Sequence, residues 1–261
     1  MRALLVACTL WVTCLAHGQK NKETFYLLDK DFQAEPNMAL AAYIMHVISQ
    51  HDTLFISRIY NKNGAMERQE SYKDNAFAEP HGKFAWYDVN GRVDSAGTVN
   101  NRKKDGEWYY YNDTLGIEQM VTYRLGKEVE RQDFHRKKVI TPNGETDMVT
   151  KKRDVTDTFK LVEKEAAFKG GTKAYSRYLI NNLKVPERTT SLGKSGNVKF
   201  QFIINKEGYI ENIFILKSLE WAADAEALRV LTAMPKWEPA VQNGKPVYYQ
   251  CIQVITFPDS Q

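Results

Sequence analysis

The chain has 261 residues, 43% of them hydrophobic and 26% charged, a globular balance that excludes wholesale disorder and suits one or two domains. A formal charge of +4 is too small for a dedicated nucleic-acid binder, and no nucleic-acid partner is expected. No apolar run reaches the roughly 18 residues of a clear membrane-spanning helix, and three cysteines cannot make a disulfide scaffold.

Met1 and Arg2 precede an apolar stretch, Ala3 to Ala16, of signal-peptide length. Ala16-His17-Gly18 then offers a small-x-small site, so residues 1–18 are expected to be a signal peptide cleaved before Gln19, or alternatively after Ala16. Left uncleaved, the same segment would be an inner-membrane anchor. Cleavage removes Cys8 and Cys14 and leaves Cys251, so the exported chain has no internal disulfide. A lone cysteine in an apolar strand reads as a small buried hydrophobe.

Residues 19–135 are expected to form one repeat domain, in which the region from about 40 to 135 reads as β-hairpins. Residues 42–48 and 53–60 are rich in β-branched and aromatic side chains, and Gln50-His51-Asp52 is the expected turn between them. Asn61-Lys62-Asn63-Gly64 is a turn signal with a glycine available for positive φ, and it recurs at Asp88-Val89-Asn90-Gly91. His81-Gly82-Lys83-Phe84-Ala85-Trp86-Tyr87 repeats as Asp105-Gly106-Glu107-Trp108-Tyr109-Tyr110-Tyr111, 24 residues on. Tyr60 with Gly64 is a degenerate earlier copy, 27 residues before Tyr87 and Gly91. A hairpin alone cannot bury its apolar face, so neighbours must stack. On an ideal strand Phe84 and Tyr87 point to opposite faces, as do Trp108 and Tyr111. These four aromatics are either repeat core or a contact surface.

From about 55 to 130 this pattern resembles MORN-type repeats of the form G-x-W-x-x-Y-x-x-x-G. Gly82, Phe84, Tyr87 and Gly91 fit one copy. Gly106, Trp108, Tyr111 and Gly116 fit the next with one extra residue before the last glycine. The resemblance implies a scaffold or contact module and says little about activity.

Residues 136–158 are polar and charged and are expected to be a linker with at most a turn or strand. Residues 159–261 then read as helix, strand, strand, helix, strand. Tyr175, Tyr178, Leu179 and Asn182 share one helical face before Pro186. Residues 197–204 and 209–216 form a hairpin around Asn205-Lys206-Glu207-Gly208. Trp221 to Met234 is an amphipathic helix stopped by Pro235, and 247–257 is a last strand. The fold class is therefore α+β, with antiparallel hairpin repeats followed by a small α+β domain.

Phe168-Lys169-Gly170-Gly171, Tyr178-Leu179, Asn182-Leu183, Gly196-Asn197-Val198, Phe202, Gly208, Glu226-Ala227-Leu228-Arg229, Met234 to Ala240 and Asn243 to Val247 occur in this order. Together they resemble the TonB C-terminal domain in the form common in Bacteroidota, over about residues 159–258. The resemblance implies a periplasmic protein that takes a short peptide from a TonB-dependent outer-membrane transporter as an added strand. It places the receiving strand at Val247, Tyr248, Tyr249, Gln250, Cys251, Ile252, Gln253, Val254 and Ile255. The same edge could pair with itself in a homodimer. Inner-membrane motor proteins are implied only if the N-terminal segment stays as an anchor, because no Pro-rich spacer is present. The alternative is an envelope scaffold in which Phe84, Tyr87, Trp108 and Tyr111 make the contacts and the C-terminal domain dimerises.

Signatures of catalysis are missing. There is no His-Glu-x-x-His, Gly-x-Ser-x-Gly or Cys-x-x-Cys. His46, His51, His81 and His135 lack ligand spacing, and Gly193-Lys194-Ser195 lacks the upstream glycine and strand of a phosphate loop. No enzyme activity, cofactor or metal is expected. Glu163-Lys164-Glu165 reads as an exposed charge run.

Overall fold

A computed structural model of the protein describes residues 22–50, 53–148 and 162–259. The chain divides into two compact units, residues 1–148 and 149–261. The expected signal segment, and the His51-Asp52 part of the first turn, lie outside the described residues.

The first unit is an 11-stranded sheet whose spatial order is the sequence order, each strand antiparallel to the next. The strands are β1 (Lys22–Leu28), β2 (Tyr43–Gln50), β3 (Leu54–Asn61), β4 (Met66–Tyr72), β5 (Gly82–Tyr87), β6 (Val93–Asn100), β7 (Lys103–Tyr111), β8 (Ile117–Arg124), β9 (Lys127–Asp133), β10 (Lys138–Thr141) and β11 (Gly144–Asp147). β1 was not anticipated from its sequence, because Lys22 and Glu23 obscure the apolar Phe25 to Leu28. β10 and β11 lie inside the stretch expected to be a linker. The sheet continues past His135 to Asp147, and residues 149–161 lie outside the described residues.

The repeats have a structural counterpart. Hairpins β3–β4, β5–β6 and β7–β8 each break register just before the turn, at Tyr60, Tyr87 and Tyr111. Each turn then begins with Asn61, Asp88 or Asn112. The side-chain oxygen of that residue accepts from the backbone N–H two positions on, at 3.4, 2.8 and 3.0 Å. A bulge inserts one residue on one strand, so strict alternation fails across it. The extra residue is Glu67, Asp94 or Glu118, on the second strand of each hairpin, so Phe84 and Tyr87 keep their alternation along β5. Both are buried because both sides of that strand are covered, Phe84 being packed with Trp86 and Trp108.

Two further turn expectations change. Gly64 closes its turn without a positive φ. Gly116 does not occupy the position of Gly91. Leu115 does, at φ 63 against 71 for Gly91, so no extra residue precedes it.

Leu28, Met45, Val47 and Ile59 form one apolar cluster of this sheet, and Phe84, Val99 and Trp108 form another. Aromatic rings link the second cluster from hairpin to hairpin: Phe84 to Trp86 at 6.1 Å, Trp86 to Trp108 at 5.5 Å and Trp108 to Tyr123 at 6.4 Å between centroids.

The second unit holds α1 (Gly171–Asn182), α2 (Glu187–Ser191), β12 (Gly196–Ile204), β13 (Ile210–Lys217), α3 (Trp221–Thr232), β14 (Ala240–Gln242), β15 (Lys245–Val247) and β16 (Tyr249–Phe257). The expected helix-strand-strand-helix-strand order holds. The short helix α2 and the β14–β15 hairpin are additions that the sequence reading lacked. β12 is the middle strand, flanked by β13 and β16. Val198, Phe200, Phe202 and Ile204 alternate inward along β12 and are fully buried, against α3 residues that include Ala223, Ala227, Val230 and Leu231.

Phe168 packs on Tyr175, Tyr178 and Trp237, and Trp237 packs on Phe202. This cluster ties the segment before α1 to the central strand. The β12–β13 turn comes so close to Trp237 that a Cβ on Gly208 would lie 2.2 Å from the Trp237 carbonyl oxygen. Only glycine fits there.

Candidate functional site

The C-terminal sheet has two outer strands, and they differ in kind. β13 pairs with β12 through two register irregularities, between Lys199 and Phe200 and between Gln201 and Ile203. β16 pairs with β12 continuously over nine positions, from Gly196↔Phe257 to Ile204↔Tyr249. Bulges, charges and prolines are the usual protections of an edge strand. β16, with the sequence Tyr-Gln-Cys-Ile-Gln-Val-Ile-Thr-Phe, has no charge, no proline and no bulge. Among the described residues, its second edge carries no strand. By contrast, the outermost strands of the N-terminal sheet carry charge: Lys22 and Glu23 on β1, Glu145 and Asp147 on β11.

The side chains of β16 alternate. Cys251, Ile255 and Phe257 are buried, while Gln250, Ile252, Val254 and Thr256 face out. Ile252 is 50% exposed and Val254 42%, so this outward row is partly apolar. Burial pushes the Cys251 thiol up to about 12, which keeps it a protonated, inert group. The Tyr249 hydroxyl hydrogen-bonds Glu165; burial, with that carboxylate adding to it, pushes the phenol up to about 12.

The stretch Val247 to Ile255, read from sequence as one strand, does not coincide with β16 at either end. Val247 belongs to β15 and pairs with Ala240, and Tyr248 stands exposed between the two strands with Lys206 Nζ 5.5 Å from its ring centroid. At the other end β16 runs two residues beyond Ile255, to Phe257. Thr256 is on the outward row, and its hydroxyl donates to Asn197 Oδ1 at 2.8 Å. The remaining residues, Tyr249 to Ile255, fall on one continuous strand, with Gln253 half-buried.

Glu163-Lys164-Glu165 is more than a charge run. Glu163 accepts from the N–H groups of Asn243 and Gly244, and Lys164 Nζ lies 2.7 Å from Glu238 Oε2. With the bridges Lys164↔Val241 and Ala167↔Glu238, these contacts fasten residues 163–167 to the β14–β15 region that leads into β16.

The four repeat aromatics do not form a surface. Trp108 is 0% exposed, and Phe84 and Tyr87 are buried. Only Tyr111 is half-exposed, and burial still pushes its phenol up to about 12. Their placement is that of a packed interior shared by successive hairpins.

Among the described residues, no helix is long and apolar enough to cross a membrane. No curated protein matches the chain. Residues 181–258 match the family model for the Gram-negative bacterial TonB protein C-terminal. The match is shorter than the resemblance over 159–258: Phe168 to Gly171 and most of α1 precede it. The family is one of non-enzymatic interaction domains of envelope-associated periplasmic proteins, whose partners in general are outer-membrane transporters. With its sheet order β13–β12–β16, the long helix α3 and an unprotected last strand, the segment from residue 181 to 258 is a domain of the TonB C-terminal type.

Proposed function

We propose that this protein works in the periplasm as a non-enzymatic binding protein of TonB-dependent outer-membrane transport. A short extended peptide of the transporter adds as a strand along the outer edge of β16. The observation that carries the reading is the contrast between the two edges of the C-terminal sheet: β13 is bulged, whereas β16 is regular and uncharged, and among the described residues its outer edge carries no strand. Main-chain hydrogen bonds to such an edge supply affinity, and the outward row Gln250, Ile252, Val254 and Thr256 supplies selectivity. Inner-membrane motor proteins join this scheme if residues 1–18 stay as an anchor.

The test is a titration of the isotope-labelled chain with peptides from the periplasmic ends of such transporters. The expected amide shifts concentrate on residues 249–257. Ile252→Lys with Val254→Lys should weaken binding by roughly tenfold or more, because edge lysines oppose strand addition. Shifts confined to other strands, or variants that bind as well as the parent, would overturn the reading. Concentration-dependent sedimentation that the same variants abolish would assign the edge to a second copy of the chain instead. The scaffold alternative has less support, because three of its four proposed contact aromatics are buried.

A further inference from the structure

One face of β1–β4 is the floor of a cavity of about 250 Å³. Cross-strand register sets the floor out in rows: Met45, Ile59 and Arg68 in one, Ser57 and Glu70 in the next. Leu28 and Tyr72 lie at its ends. Two loops reach over it. The β1–β2 loop brings Phe32, Gln33 and Ala34, and the β4–β5 loop brings Phe77.

Both loops are built to hold these rings. The Asp29 carboxylate accepts from the N–H groups of Asp31 and Gln33 at 2.8 and 2.9 Å. The Asp74 carboxylate does the same for Ala76, Ala78 and Glu79, at 2.9, 3.1 and 2.7 Å. Phe32 and Phe77 themselves sit at φ 58 and 55, a left-handed conformation that is an outlier for bulky side chains. Such strain persists where the surroundings over-determine it, and it concentrates at ligand clamps. Phe32 stacks on Tyr43 at 4.6 Å, and Phe77 meets the Tyr72 edge at 5.3 Å.

The polar groups of the cavity are incompletely paired. Ser57 is 2% exposed, and its hydroxyl has no hydrogen-bond partner. Arg68 Nε is likewise buried without a hydrogen bond; its guanidinium lies 4.4 Å over the Phe32 ring, and the nearest Glu70 oxygen is 3.8 Å away. The other Glu70 oxygen accepts from the Tyr72 hydroxyl at 2.8 Å. Two donors without hydrogen bonds, one of them 3.8 Å from the Glu70 carboxylate, thus stand as diagonal neighbours beside the apolar Leu28, Met45 and Ile59. Buried donors in native proteins are satisfied or serve a purpose. Water would suit the donors and leave the apolar floor without partners.

We propose that this cavity binds a small monocarboxylic acid with a compact apolar body. The carboxylate takes hydrogen bonds from Arg68 Nε and the Ser57 hydroxyl, and the body rests on Leu28, Met45 and Ile59 between the two phenylalanines. The Arg68 guanidinium balances the Glu70 charge, and the Tyr72 hydroxyl holds the Glu70 oxygen that does not face Arg68. This site belongs to the N-terminal unit alone and is independent of strand addition at β16.

The full exported chain, labelled with 13C-methyl methionine, reports on the floor directly. The Met45 signal is assigned by its loss in Met45→Leu. Phenylacetate and hexanoate are the probes, with 2-phenylethanol as the uncharged analogue. The Met45 methyl should shift saturably with at least one acid below roughly 20 mM, and the alcohol should bind about tenfold more weakly or worse. Ser57→Ala and Arg68→Met should each weaken the acid at least about fivefold. Ser57→Ala guards against misfolding as a cause, because it deletes an unpaired buried hydroxyl and should leave the melting temperature unchanged or raised. A Met45 methyl that does not move with either acid, equal binding of acid and alcohol, or full binding by both variants would overturn the proposal.

Discussion

The indole of Trp108 occupies the space above the backbone of Gly97: a Cβ at Gly97 would lie 2.4 Å from Trp108 Cδ2 and 2.5 Å from its Cγ and Cε2. The β6–β7 ladder opens at this point, with Ala96 opposite Tyr109 and Thr98 opposite Asp105. The indole Nε1 donates to the Thr98 carbonyl at 3.0 Å, and Lys104 Nζ lies 4.2 Å from the ring centroid. The most buried ring of the repeats is therefore held by the residue that has no side chain. Gly97→Ala should destabilise the N-terminal sheet by about 1–3 kcal/mol through overpacking. The coupling is checked by a double-mutant cycle in urea: Gly97→Ala should cost less in a Trp108→Leu background than alone. Simple additivity would contradict it.

Leu115 adopts φ 63 in a turn whose counterparts place Gly91 at φ 71 and Gly208 at φ 88. For an L residue with a side chain this conformation costs about 1–2 kcal/mol, part of which glycine returns as unfolded-state entropy. Leu115→Gly should therefore raise stability by about 0.5–1 kcal/mol. Thermal denaturation compared with the parent decides it, and a lower midpoint would show that the half-buried leucine side chain matters more than its backbone.

His46 and Glu23 make the N-terminal sheet acid-sensitive. The His46 ring is buried, stacks on Phe25 at 4.4 Å, and its Nε2 lies 2.9 Å from Glu23 Oε2. Burial lowers the His46 pKa and outweighs the hydrogen bond from Glu23, which raises it; Arg58 adds to the lowering. The ring is thus neutral, and its Nε2–H donates to the carboxylate. The hydrogen bond to His46 in turn lowers the Glu23 pKa. Both folded values lie below the unfolded ones, so the unfolded chain takes up protons first and stability falls as pH falls. The loss should begin below the ordinary histidine value of 6.5 and continue below the ordinary glutamate value of 4.5. Urea midpoints from pH 8 to 4 test this. In His46→Phe the decline between pH 6.5 and 5 should flatten.

Glu220 is fully buried at the start of α3 and serves three groups. It accepts from the Ala223 N–H at 2.9 Å, from Arg188 Nε at 3.2 Å and from the Thr189 hydroxyl. It caps one helix and fastens α2 to it. Glu220→Ala removes a cap and leaves Arg188 and Thr189 without this buried partner, at a cost of about 3–5 kcal/mol. Hydrogen exchange should show faster opening of β12 amides, with those of β3 to β8 unchanged.

Local chemistry in the chain determined much of this protein. Alternation and turn residues were enough to mark the hairpins from β2 to β8, because each strand needs only its neighbour and a short turn. Equally local were the 24- and 27-residue repeat spacings, the helices α1 and α3, and a last strand around Tyr249 to Ile255. β1 and β10–β11 escaped notice because their charged residues hide strand pairing that only adjacent strands supply. Tertiary structure alone decided three matters. Packing on both sides of β5 buries Phe84 and Tyr87 alike, although they alternate along the strand. The sheet order β13–β12–β16 left the one regular, uncharged strand on an edge, a fact of pairing that no single strand encodes. The Ser57 and Arg68 donors were brought under Phe32 and Phe77 by cross-strand register and by two loops that cross the sheet. Those residues are 45 positions apart at the extremes, and no periodicity along the chain links them.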